Sequence, residues 1–201
     1  MENPRIDLNL IVNLVDNDSK VLDIGCGNGD LLNLLLSNKN IKGQGLEINQ
    51  KKVNECVAKG LSVIQGDADK DLSLYPNNSF DCVVLSQTIQ ATQEPKRILS
   101  ELTRIGRKVI ISIPNFGFWK VRLDLLLKGK MPITNKLDSS WYKTQNIHLC
   151  TITDFISLCN ELHINIEQTV TLHSKKHKSF SGKPSSIENL LSEEAIFLLE
   201  G

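Results

Sequence analysis

Residues 21–30 read Val-Leu-Asp-Ile-Gly-Cys-Gly-Asn-Gly-Asp. A short apolar run ends in glycines at every second position, Gly25, Gly27 and Gly29, and Leu31, Leu32, Leu34, Leu35 and Leu36 then follow at spacings that suit a helix. Few folds accommodate a buried strand, a glycine turn and a helix in that order. Glycine allows positive φ and lets a ligand approach the backbone with no Cβ in the way. The N–H groups that open a helix lack intrahelical partners and favour a negative group. Asp23 puts a carboxylate inside the apolar strand, where burial calls for a hydrogen-bonding reason. The spacing Gly25-x-Gly27-x-Gly29 differs from the G-x-G-x-x-G of dinucleotide folds, and no second glycine fingerprint occurs, which argues against a nicotinamide cofactor.

The rest of the chain keeps the same rhythm. Leu8, Ile11, Val12 and Val15 have helical spacing and predict an opening helix. Strands are expected at 20–24, 42–47, 61–65, 79–85 and 108–113, with helices at 30–37, 49–59 and 94–103 between them. Gly60 suits a helix C-terminus and Pro95 a helix start. Near-continuous apolar strands alternating with helices indicate an α/β protein with a parallel sheet covered on both faces. After Pro114 the alternation stops. Residues 115–150 hold Phe116, Phe118, Trp119, Trp141 and Tyr142, with a helical piece at 119–127, and read as an aromatic-rich insertion or lid. A helix at 153–162, a strand at 164–172 and a last strand at 195–199 are expected to follow. Residues 173–186 carry Lys175, Lys176, Lys178 and Lys183 and are expected to form a basic loop. At 201 residues the chain fits a single domain, 1–201.

Lys+Arg and Asp+Glu balance at 23 each, so net charge supplies no argument for nucleic acid or an acidic membrane. No apolar run reaches the roughly 20 residues of a membrane span. The opening Met-Glu-Asn-Pro-Arg lacks a basic segment followed by an apolar core, so no signal peptide is expected. Five cysteines with no C-x-x-C read as reduced thiols in a cytoplasmic protein, and no Cys/His cluster has the spacing of a metal site.

In open parallel sheets, ligands bind beyond the carboxyl ends of the strands. Asp23, Gly25, Cys26, Gly27 and Gly29 lie beyond the first strand. Glu47 and Ile48 end the second, Asp67 and Ala68 follow the third, and Ser86 ends the fourth. A carboxylate at Glu47 suits a ribose diol. Asp67 can accept from an exocyclic amine, and the Ala68 N–H can meet a ring nitrogen.

In order and spacing these residues resemble the class I S-adenosylmethionine-dependent methyltransferases over roughly residues 18–115. Further motifs are similar to the methionine biosynthesis protein MetW family. They are Ser86-Gln-Thr-Ile-Gln90, Pro95-x-Arg-Ile-Leu-x-Glu-Leu-x-Arg-Ile-Gly106, Ile113-Pro-Asn-Phe-Gly-Phe-Trp-x-x-Arg122, Trp141-Tyr-x-Thr-x-Asn-Ile-His148 and the segment 189–200.

The resemblance implies a Rossmann-like fold with a mostly parallel seven-stranded sheet and an antiparallel last strand. It implies S-adenosylmethionine or S-adenosylhomocysteine as the cofactor, with the glycine turn cradling the methionyl end, which Asp23 orients. It also implies a protein partner, homoserine O-acyltransferase, rather than nucleic acid or membrane. The chain departs from the family in the loop 173–186, whose length and basic content look specific to it, and it lacks two motifs of acting methyltransferases. The fourth strand ends in Ser-Gln-Thr-Ile where amine methylation often uses Asn/Asp-Pro-Pro-Tyr/Phe, and no Pro-Cys pair is present. An accessory role follows, with methyl transfer to a small acceptor as the alternative. For that alternative Tyr142 and His148 are the acid/base candidates.

Overall fold

The computed structural model describes residues 5–134, 136–137 and 139–201. The chain begins with helix α1 (Ile6–Leu14) and then alternates: β1 (Lys20–Ile24), α2 (Asp30–Lys39), β2 (Lys42–Glu47), α3 (Gln50–Ala58), β3 (Val63–Gln65), the short α4 (Ala68–Asp71), β4 (Phe80–Ser86), α5 (Pro95–Ile105) and β5 (Gly106–Pro114). The insertion holds α6 (Trp119–Lys128). Helix α7 (Ile152–Glu161), β6 (Ile166–His173), β7 (Lys176–Ser181), the short α8 (Glu188–Leu191) and β8 (Glu194–Glu200) complete the chain.

The strands form one sheet in the order β3-β2-β1-β4-β5-β8-β6-β7. Strands β1 to β5 are parallel, and β8 runs antiparallel between β5 and β6. Side chains on a strand alternate between its two faces. Leu22, Val83, Leu85, Val109 and Ile111 therefore face one way and pack with Ile98, Leu99 and Leu102 of α5 and Phe155 and Cys159 of α7. Val21, Cys82, Val84 and Ile110 face the other way and pack with Leu8, Ile11 and Val12 of α1 and Leu31 and Leu35 of α2. Two burying faces explain the near-continuous apolar runs of β1, β4 and β5.

Two expectations need correction. The sheet has eight strands, not seven, and the extra strand lies where a basic loop is expected. Residues 176–181 pair with β6 across a tight turn at Ser174-Lys175, with Ser174 at φ +53°. The cause is positional. Strand β7 is at the sheet edge, and of its residues only Phe180 is even half-buried, so it has no apolar period for a sequence reading to find. Its lysines suit an edge strand, since charge discourages pairing with another chain. Lys178 also reaches the buried Glu188 at 2.8 Å, which accepts from Thr171 Oγ1 and Ser192 Oγ as well.

No helix among the described residues is long and apolar enough to cross a membrane. The side chain of Asn115, just past β5, is fully committed to structure. Its amide donates to the carbonyls of Asn189 and Ser192, and its Oδ1 accepts from the N–H groups of Gly117 and Ile152. Three of these bonds tie the start of the insertion to α7 and the α8 region and the fourth is local, leaving Asn115 no free group for a ligand.

Candidate functional site

The strand order reverses between β1 and β4, and a cleft opens there beyond the carboxyl ends of the parallel strands. It has two lobes. One, of about 270 Å³, is lined by Arg5, Asp23, Gly25, Cys26, Gly27 and Ser86. The other, of about 360 Å³, is lined by Glu47, Ile48, Asp67, Ala68 and Thr88 and is flanked by Gln145 and Asn146 of the insertion. Gly25, Lys52 and Gln87 line both lobes, so the lobes are continuous.

The turn between β1 and α2 is held from behind. Leu46 O accepts from Gly25 N–H at 2.7 Å, and Gly29 N–H donates back to Cys26 O. Glu47 is buried. Its Oε2 accepts from Gly27 N–H and its Oε1 from Asn49 N–H, both at 2.9 Å. One carboxylate thus fastens the glycine turn to the start of α3, and each oxygen keeps a lone pair for a further donor.

Gly29 lines neither lobe and has a packing role. It sits at φ +80°, and a Cβ there would lie 2.3 Å from Leu61 Cδ1. Gly27, at φ +58°, has nothing within 4 Å of a built Cβ. Gly29→Ala is therefore expected to lose about 2–3 kcal/mol of stability through strain and overpacking. Gly27→Ala is expected to lose about 1–2 kcal/mol through backbone strain alone. Urea unfolding of both variants checks this, and equal losses would contradict it.

Asp23 is almost fully buried, and its Oδ2 has no hydrogen-bond partner. Burial pushes its pKa up to about 7, the Glu47 charge adds to the rise and Arg5 opposes it. Arg5 leans on Asp7, with Nη2 to Oδ2 at 2.6 Å. Asp7 is held below the usual carboxylate range: burial alone would raise it, but the Arg5 bond and the Lys136 charge outweigh burial. Lys136, in the insertion, pairs at 2.5 Å with the buried Glu194, whose other oxygen accepts from Gln87 Nε2 at 2.7 Å. Gln87 is a non-glycine residue at φ +48°, fixed by Ser112 O and Oγ as well. A chain of charged and polar groups therefore runs from Arg5 through Asp7, Lys136 and Glu194 to Gln87, and both its ends line the cleft.

Asp67 is half-buried and caps α4 by accepting from Asp69 N–H. The bond and charge of Lys70 hold its pKa down. The Cys26 thiol is pushed up by burial and by the nearby Asp23 charge, which leaves it protonated and unsuited to attack. Tyr142 and His148 line neither lobe. Tyr142 is exposed against Trp141, and His148 Nε2 lies 3.4 Å from Gln93 O. Among the described residues, no group of His, Cys, Asp and Glu has the arrangement of a metal site.

Sequence reasoning missed Arg5, Lys52, Gln145 and Asn146. Arg5 lies 18 positions before Asp23 and belongs to no strand end; the only local signal is Asp7, an acid in the first turn of a helix, two residues on.

The chain matches the family described as "Methionine biosynthesis protein MetW" over residues 5–199. It is 31% identical over 175 residues to the bifunctional methionine biosynthesis protein MetXA/MetW of Rhodopirellula baltica. That match covers 83% of this chain and 28% of the relative, so the chain spans under a third of the longer protein. It is 26% identical over 144 residues to the demethylmenaquinone methyltransferase of Listeria welshimeri, covering 64% of this chain and 60% of that one. Its fold is similar to a SAM-dependent methyltransferase of Archaeoglobus fulgidus, with TM-score 0.67 and 17% identity over 98% of this chain and 92% of that one. On the family match and the shared sheet, this chain belongs to the MetW family and has the class I S-adenosylmethionine-dependent methyltransferase fold.

Proposed function

We propose that this chain binds S-adenosylmethionine, or S-adenosylhomocysteine, in the two-lobed cleft and acts with homoserine O-acyltransferase in methionine biosynthesis. The observation that carries the cofactor reading is the buried Asp23 carboxylate, whose Oδ2 has no hydrogen-bond partner, in a lobe that Arg5 also lines. A buried acid and an arginine in one lobe suit a zwitterion, with ammonium on Asp23 and carboxylate on Arg5. The free lone pairs of Glu47 suit ribose hydroxyls. Asp67 and the Ala68 N–H, in the other lobe, suit the amine and ring nitrogen of adenine.

The partner reading is supported by the relative that names MetXA and MetW in one chain. The test is co-expression with the homoserine O-acyltransferase of the same organism, followed by co-purification and acyl-transfer assays. A complex and a raised rate are expected. Absence of both sinks the partner reading.

A second reading is methyl transfer to a small acceptor. A cavity of about 180 Å³ that mixes apolar groups (Phe116, Met131, Trp141) with polar ones (Lys136, Thr144) shares Asn146 with the cleft. A methyl sulfonium is already electrophilic, so alignment of an acceptor can suffice. Label transferred from methyl-labelled cofactor to a small molecule would favour this reading.

A further inference from the structure

More than half of the large apolar side chains that are exposed among the described residues fall between Trp119 and Leu149. Helix α6 concentrates the anomaly. It is ten residues long and buries only Val121, while Leu123, Leu126 and Leu127 face solvent. Six of its ten residues are apolar and five of those six are exposed, whereas a surface helix ordinarily turns its apolar residues inward. Trp141 and Tyr142 of the insertion are also exposed and pack edge to face at 5.7 Å. Monomeric proteins rarely leave apolar groups in such concentration uncovered, and aromatic and leucine anchors bordered by charge are the makings of a protein interface. Among the described residues of α6 and the turn after it, the border is basic: Lys128 pairs with Asp124 at 2.7 Å, and Lys120 and Lys130 add positive charge.

We infer that α6 and the Trp141–Tyr142 corner form the face that docks homoserine O-acyltransferase. This assignment rests on the partner reading above. One occupant fits best because the 31%-identical relative carries both named parts in one chain, most of which lies outside the region matched here. The basic border calls for an acidic rim around an apolar pocket on the acyltransferase. The Trp141 end of the face adjoins the cleft, since Trp141 and Asn146 line one cavity and Asn146 also lines the cleft. Docking here places the partner over a segment that borders the cofactor site.

The test pairs two variants of the full chain in titrations with purified acyltransferase. L126D/L127D alters side chains that are 81% and 72% exposed, and L74D alters one that is 77% exposed on the connection between β3 and β4. Cofactor affinity and far-UV circular dichroism check that both variants fold. The inference expects L126D/L127D to weaken the complex by roughly 100-fold or more with cofactor affinity unchanged, and L74D to bind as wild type. If wild type binds the acyltransferase and L126D/L127D binds equally well, the face is wrong and the partner reading stands. If wild type forms no complex, the partner reading falls and the face assignment with it. If sedimentation shows wild type self-associating, and L126D/L127D removes only that, the face serves a second copy and the inference is overturned.

Discussion

Glu47→Ala is expected to weaken S-adenosylmethionine binding by roughly 100-fold or more and to destabilise the protein as well. The two losses have one origin. The carboxylate accepts from Gly27 N–H and Asn49 N–H at 2.9 Å each, so its removal leaves two backbone donors without partners. Hydrogen bonds to a charged group contribute about 1.5–3 kcal/mol each. A smaller effect has the opposite sign. Glu47 raises the pKa of Asp23, and deleting it relieves that repulsion, but burial is the larger cause of the Asp23 shift. The net expectation is a stability loss of about 2–4 kcal/mol. Glu47→Gln keeps one acceptor oxygen and should fall between wild type and alanine in both measurements. Calorimetric titration and urea unfolding check this. Equal cofactor affinity in wild type and Glu47→Ala would remove Glu47 from the ribose role.

The second large effect has opposite signs for stability and binding. Asp23 has a folded-state pKa of about 7 against an ordinary value of 3.8. The folded protein therefore holds this proton more tightly than the unfolded chain. The group's stabilising contribution is fully present below about pH 4, declines as pH rises toward 7 and is gone above it. The shift corresponds to about 4 kcal/mol at pH 8. Asp23→Asn keeps the shape and removes the charge, so the cofactor-free variant should be more stable than wild type at pH 8 by about 1–3 kcal/mol. The decline between pH 5 and 8 should flatten. The same variant should bind S-adenosylmethionine roughly 100-fold more weakly, because the ammonium loses its counter-ion. Thermal unfolding from pH 5 to 9, with and without cofactor, gives both readings. A variant no more stable than wild type at pH 8 would show that the buried carboxylate is already compensated.

These expectations reflect what was legible in the sequence. A carboxylate in an apolar strand and a glycine turn are local signals, so Asp23 and the turn stand out from a few neighbouring residues. Glu47 stands out because it lies 22 positions past Gly25 (47 − 25), at the end of the second strand. Strand β7 was not legible. It is held by backbone pairing at an exposed edge, and its side chains carry no period. Nor was the charged chain from Arg5 through Asp7, Lys136 and Glu194 to Gln87. Its members come from α1, the insertion, β8 and the end of β4, and only the folded topology brings them together. Gly29 shows what spacing alone leaves out. Its spacing marks it as part of a ligand turn, while its surroundings give it a packing role against Leu61.

The central claim is that the cleft reads a zwitterionic adenosyl cofactor. The most direct measurement is calorimetric titration of the full chain, at pH 7, with S-adenosylmethionine and with 5′-methylthioadenosine, which keeps the adenosine and lacks the amino-acid end. Saturable one-to-one binding of S-adenosylmethionine, at least roughly 100-fold tighter than 5′-methylthioadenosine, is the predicted result, since Asp23 and Arg5 have partners only on the former. Absence of saturable S-adenosylmethionine binding, or equal affinity for the two compounds, would contradict it.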